Sequence, residues 1–148
     1  HPDYQKRLAT YRPFGSPIES PAGIQGKATQ FVMILDALQL RLLEKIRSDL
    51  AGYSVVRSTS PLDNRAIWLE IFAGGIHKGN SCQTLLKKLN INCKEVAGLG
   101  NDYNDIDFLD ICAEAYLVAN APVNLQRHYK LVKSDKEEGF TEFISKVL

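Results

Sequence analysis

The chain is short of cysteine, has no long apolar run and carries no surplus of either charge, and each shortage removes a class of function. Its three cysteines, Cys82, Cys93 and Cys112, form neither an even framework nor a Cys-x-x-Cys, which argues against a disulfide scaffold or a zinc site and for reduced thiols in a cytoplasmic protein. No stretch approaches the ~20 apolar residues that span a bilayer, and His1-Pro2-Asp3 opens nothing like a signal peptide, so no membrane partner is expected. Eighteen basic residues against seventeen acidic leave a net charge of +1, which gives no footprint for nucleic acid or an anionic surface. Internal repeats are absent too. What remains is 148 residues, 45% hydrophobic, enough for a soluble globular domain with its own core.

The informative stretch runs from Ile76 to Leu109 and has two polar poles. The first is Ile76-His77-Lys78-Gly79-Asn80; the second is Gly98-Leu99-Gly100-Asn101-Asp102-Tyr103-Asn104-Asp105-Ile106-Asp107. Between them the spacing predicts a helix from Asn80, with Leu85, Leu86 and Leu89 as its apolar stripe and Ser81, Gln83, Lys87 and Lys88 on the wet face. Asn90 and Asn92 supply turn chemistry. Val96-Ala97-Gly98-Leu99 then reads as a short buried strand with the acids at its carboxyl end. In open α/β sheets that end is where ligands bind. A lysine and several carboxylates converging there suit a phosphate held together with Mg²⁺, which selects oxygen ligands.

Residues 1–26 carry Pro2, Pro13, Pro17 and Pro21 with three glycines and read as a loop or tether, with Tyr4, Leu8, Tyr11 and Phe14 as packing anchors or a short helical turn. Residues 27–76 read as a β-α-β-β unit. It comprises a strand over Ala28–Leu35, a helix N-capped by Asp36 and striped by Leu38, Leu42, Leu43, Ile46 and Leu50, and strands over Tyr53–Thr59 and Ala66–Phe72 joined around Ser60-Pro61-Leu62-Asp63-Asn64. From residue 77 onward the pattern alternates helix and strand with short connections, as in part of a doubly wound parallel sheet. The later elements are a helix over Ile106–Cys112, a strand over Tyr116–Ala119, a turn over Pro122–His128, a strand at Leu131-Val132, and a helix over Thr141–Val147. That last helix is read with Phe140, Phe143, Ile144 and Val147 facing inward.

Lys78-Gly79, then Gly-Asn-Asp-Tyr-Asn-Asp at 100–105, Asn120-Ala121 and Glu138-Gly139-Phe140 together resemble the C-terminal part of a haloacid dehalogenase superfamily phosphatase. The branch resembled is the Cof-like, sucrose-phosphatase-like one. The likeness covers about Lys27 to Leu148 and is strongest from Trp68. It implies a Rossmann-like parallel core over 77–148, and part of a mobile α+β cap over 27–76. It also implies Mg²⁺ as cofactor, and hydrolysis of small phosphate monoesters, typically sugar phosphates, through an aspartyl-phosphate. Lys78 matches the family's third motif and the 100–105 loop its fourth. Asn101 stands where that motif has aspartate, and the family's Asp-x-Asp nucleophile motif follows no early strand here. With no initiator methionine either, the chain is read as the C-terminal piece of a longer enzyme whose N-terminal half is its partner.

On this reading Lys78 is the catalytic cation. Asn101, Asp105 and, as a substitute, Asp102 lie near Mg²⁺. Asn104, Asn80 and Asn120 are orienting groups. Glu70 has two readings, a substrate contact or an exposed position on a half-buried strand, and Arg57 and Arg65 are open in the same way. Asn124, like Asn120, has a turn role as its alternative, and Asp107 is read as surface. Two other functions stay open: a catalytically silent phosphate-binding or interaction module on the same scaffold, and a nucleotide-binding oxidoreductase domain. The second is weakened because Gly98-x-Gly100-x-x-Tyr103 has tyrosine where the dinucleotide fingerprint needs a third glycine. Gly74-Gly75-Ile76-His77-Lys78-Gly79 lacks the order of a P-loop, the acidic loop lacks an EF-hand's glycine and glutamate, and His77 and His128 have no triad context.

Overall fold

A computed structural model describes residues 1–62 and 66–148; Asp63, Asn64 and Arg65, the end of the expected turn and one candidate contact, lie outside the described residues. The chain divides into two units, residues 1–74 and 75–148.

The first unit contains helix α1 (Pro2–Tyr11), strand β1 (Phe31–Asp36), helix α2 (Leu40–Asp49), and strands β2 (Tyr53–Thr59) and β3 (Ala66–Ala73). The sheet is antiparallel in the order β1-β3-β2, with Met33 and Arg57 both opposite Leu69. Because β3 is central, Ala66, Ile67, Trp68 and Leu69 are all buried, although strand side chains alternate between faces. Ile67 and Leu69 share one face with Leu35 and pack on Leu43 and Ile46 of α2. On the other face the Trp68 indole N–H donates to Asp3 Oδ2 at 3.1 Å, and the Arg7 guanidinium lies 4.8 Å from the Trp68 ring centre.

Those contacts overturn the reading of residues 1–26 as loop or tether. Proline at the first helical position has no N–H to lose, and His1 Nδ1 accepts the Asp3 N–H at 3.1 Å, so α1 starts at once. Only residues beyond Tyr11 are irregular, with 3₁₀ turns at Arg12–Phe14 and Pro21–Gly23. Asp36 is not a helix cap. It ends β1, its N–H is taken by Gln39 Oε1 at 2.9 Å, and α2 begins only at Leu40.

The second unit is α3 (Lys78–Leu89), β4 (Ala97–Gly100), α4 (Ile106–Leu109), β5 (Glu114–Val118), α5 (Val123–Gln126), β6 (Lys130–Val132) and α6 (Gly139–Val147). Its three strands are parallel in the order β4-β5-β6, so the molecule joins an antiparallel and a parallel sheet in one α/β chain. Leu109, Leu117, Val118, Leu125, Val132 and Phe143 form the core, with Tyr116 and Phe143 edge to face at 5.4 Å between ring centres. Asn90 closes α3 in the left-handed region (φ 55°), and Asn92 Oδ1 accepts the Lys94 N–H at 3.0 Å to cap the following turn.

Two apolar expectations fail here. Leu85 and Leu89 are 54% and 57% exposed, because α3 meets its neighbour through its first turn, and Phe140 is 66% exposed while Phe143 takes the core position. Among the described residues no helix is long and apolar enough to cross a membrane.

Candidate active site around Lys78 and Asp105

The loop after β4 folds back over its own strand. A Cβ on Gly100 would lie 2.8 Å from Asp105 Cβ and 2.9 Å from Leu109 Cδ1, so only glycine permits the reversal. The loop then closes on carboxylates. Asp102 Oδ1 accepts the Tyr103 N–H at 2.8 Å, capping the 3₁₀ turn Tyr103–Asp105. Asp105 Oδ2 accepts the N–H groups of Asn101 at 2.7 Å and Asp102 at 3.1 Å. Its other oxygen, Oδ1, accepts from the Lys78 ammonium. The Asp105 side chain is 5% exposed and that of Lys78 49%, so the cation reaches solvent while its anchor is buried.

Lys78 arrives there because α3 begins at Lys78 itself, two residues before the expected start at Asn80. Gly79 lets α3 touch the next helix backbone to backbone: a Cβ at this position would lie 2.5 Å from the Asp107 carbonyl oxygen. A lysine in the first helical turn opposes the macrodipole, and the buried Asp105 carboxylate offsets that cost. The result is a half-exposed lysine side chain, paired with Asp105, at the carboxyl end of a parallel strand, an arrangement that can receive an anion.

The remaining expected residues divide. Asn104 is half-buried in the same loop, and its Oδ1 is enclosed with no hydrogen-bond partner among the described residues. The Asn80 amide donates to Gly75 O at 2.9 Å and holds the turn before α3. Asn120 is taken up by a clip, donating to Asp135 Oδ1 at 2.8 Å and accepting the Asp135 N–H at 3.3 Å, which leaves the turn role uppermost. Glu70 is half-buried on β3 in the first unit, opposite Val32 and Val56.

The expected metal set of Asn101, Asp105 and Asp102 lies together in this loop, with Asp105 accepting from one ammonium and two N–H groups and Asp102 Oδ1 capping the turn. Among the described residues no group of three acids, histidines or cysteines is placed to hold a metal. Asn101 is exposed at the loop and offers an amide oxygen. Asp105 therefore stands as the organiser of the loop and the anchor of Lys78. Cysteine chemistry is no substitute, since burial pushes the Cys112 thiol up, away from the thiolate.

Two links escaped the sequence reading. The Tyr103 hydroxyl donates to Asn124 Oδ1 at 2.8 Å, tying the 3₁₀ turn after β4 to α5, and His77 Nδ1 lies 2.9 Å from Asp107 Oδ2. The second had a visible signal, because His77-Lys78 and the acids at 105 and 107 are two adjacent pairs on facing segments.

A family model described as haloacid dehalogenase-like hydrolase matches residues 7–144. A Streptococcus pyogenes protein named provisionally as a phosphatase is 27% identical over 95 residues, 64% of this chain and 33% of its own length. A solved structure from Streptococcus mutans aligns with TM-score 0.75 at 22% identity, covering 96% of this chain and 54% of that one. A haloacid dehalogenase subclass IIB sugar phosphatase aligns with TM-score 0.67 at 13% identity, over 82% of this chain and 44% of that one. The chain spans about a third of the length of the curated relatives it matches.

Proposed function

The chain belongs to the haloacid dehalogenase-like hydrolases, and on that premise we propose that it supplies the charge-screening half of a phosphatase acting on a small phosphate monoester, a sugar phosphate. The observation that carries this reading is Lys78, half-exposed at a helix start and anchored by the buried Asp105 at the carboxyl end of β4. The sugar-phosphate class rests on the subclass IIB neighbour. Residues 27–76 are taken as part of the cap, where Glu70, Arg57 and Arg65 are candidate substrate contacts, residues 77–148 as part of the core, and the compartment as the cytoplasm.

In the proposed reaction a carboxylate oxygen from outside residues 1–148 attacks phosphorus. The P–O ester bond breaks, and the leaving alcohol takes a proton from a second carboxylic acid. Water then cleaves the aspartyl-phosphate, returning a proton to that acid. Lys78 screens charge on the equatorial phosphoryl oxygens, which accumulates in the transition state. Asp105 keeps the ammonium in place and holds the loop closed. Asn104 is taken as an orienting group, its enclosed Oδ1 satisfied once substrate or the other half is present, and Asn80 acts by holding the turn before Lys78. Mg²⁺ dependence belongs to this reading, with Asn101 offering an amide oxygen beside the carboxylates of its own loop and those of the nucleophile-bearing segment.

One observation favours a second reading, a silent phosphate-binding module: the loop's open position carries a neutral amide at Asn101 rather than a carboxylate. Phosphate release from a panel of sugar phosphates with Mg²⁺ separates the two, measured on the protein that contains this chain together with the nucleophile-bearing segment. Turnover that stops on chelating the metal is expected; saturable substrate binding without phosphate release would favour the module.

A further inference from the structure

The stretch His77-Lys78-Gly79 meets the Asp105–Asp107 segment at three successive points. Lys78 pairs with Asp105, the Gly79 backbone lies against the Asp107 carbonyl, and His77 Nδ1 sits 2.9 Å from Asp107 Oδ2. We propose that His77 and Asp107 are a positioning pair that holds the start of α3 in the register presenting Lys78 to Asp105 and to the phosphoryl group; this rests on the phosphatase reading above.

Several features support the assignment. His77 occupies the N-cap position of α3, yet its side chain makes no capping hydrogen bond and is directed instead to Asp107. Nδ1 is enclosed from solvent and lies within ion-pair distance of Asp107 Oδ2, although the N–H direction falls short of hydrogen-bond geometry. An unprotonated nitrogen at that distance would face a carboxylate oxygen lone pair to lone pair, so the close approach is favourable only with a proton on Nδ1. Asp107 lies in the first turn of α4, where a carboxylate is favoured by the helix start. Lys78 itself has a long side chain, half in solvent, whose entropy works against a single placement. Fixing the residue before it and the residue after it restricts where its stem can start. Positioning of this kind acts on the chemical step, because small displacements of a charge-stabilising group cost rate while ground-state binding changes little.

The test compares Lys78→Ala, His77→Ala, Asp107→Ala, the His77→Ala/Asp107→Ala double variant and His77→Asn in the complete phosphatase, with nitrogen-15 NMR of the imidazole in the same protein. Each single alanine variant of the pair is expected to lower kcat about tenfold, with KM held within about twofold. The double variant should be no worse than the lower single, since the two act as a unit. His77→Asn, which keeps a donor for Asp107, should restore most of the rate. The NMR spectrum should show a protonated Nδ1 that changes in Asp107→Ala. An unaltered kcat in His77→Ala beside a collapsed one in Lys78→Ala would overturn the positioning role and leave the phosphatase reading standing. Additive losses, failure of His77→Asn to rescue, or a bare Nδ1 would overturn it equally. Unchanged turnover in Lys78→Ala would overturn both.

Discussion

The Lys78 ammonium donates to Asp105 Oδ1 while Asp105 Oδ2 accepts the Asn101 and Asp102 N–H groups, so one buried carboxylate joins the start of α3 to the end of β4. Asp105→Ala removes an ion-pair partner and the acceptor for two loop N–H groups at once. The expected loss is on the order of 3 kcal/mol. Denaturant unfolding of the variant checks it, and a loss near zero would mean that the loop holds its shape without Asp105.

Asn101→Asp is expected to lower the Mg²⁺ concentration needed for half-maximal turnover, because a carboxylate binds a hard cation better than an amide. A metal titration at fixed substrate reads this directly. No change would remove Asn101 from the metal's surroundings.

Gly79→Ala sets two effects against each other. Helix propensity alone would stabilise the protein by about 1 kcal/mol. The added methyl, however, meets the Asp107 carbonyl oxygen at 2.5 Å, and neither backbone can step aside without moving a whole helix. The clash should win, with a net loss of about 1–3 kcal/mol. A stabilised variant would show that α3 and α4 are less tightly apposed.

Acid should loosen the first unit through Asp3. The Ser60 hydroxyl and then the Trp68 indole hydrogen-bond its carboxylate and hold its pKa below the ordinary value, partly opposed by burial. A folded-state pKa below the unfolded one means that folding favours the ionised form. Asp3's contribution is therefore complete above about pH 4, the ordinary aspartate range, and is lost as pH falls below that range through the depressed folded-state pKa. Thermal melts of wild type and Asp3→Asn should converge on acidification. A gap that widens instead would contradict the sign.

Much of the second unit was legible because its cues are local. Short apolar runs ending in Gly or Asn mark β4 and the turn at Asn90, and Lys78 and Asp105 stand out as the charged ends of one helix-strand segment. What stayed hidden depends on contacts distant in sequence. Proline density at residues 1–26 read as loop, yet α1 is held by Asp3 and Arg7 against Trp68, some sixty residues on. Leu85 and Leu89 carry a helical stripe but stay exposed, while Leu86 is half-buried and Gly79 makes the close approach to α4. The donors that Asp105 meets, two backbone N–H groups and a lysine twenty-seven residues away, appear only in the fold.

The central claim is that Lys78 serves a transferring phosphoryl group, and kcat and melting temperature measured together on Lys78→Ala test it most directly. The assay is phosphate release in the complete enzyme with Mg²⁺. Asp105 keeps its two N–H partners but loses its cation in this variant, so the melting temperature should fall by less than in Asp105→Ala. Turnover should fall about a hundredfold, the effect of removing charge stabilisation worth about 3 kcal/mol at a reacting group. Turnover within about twofold of wild type would show an ammonium that only neutralises Asp105, and would contradict the account.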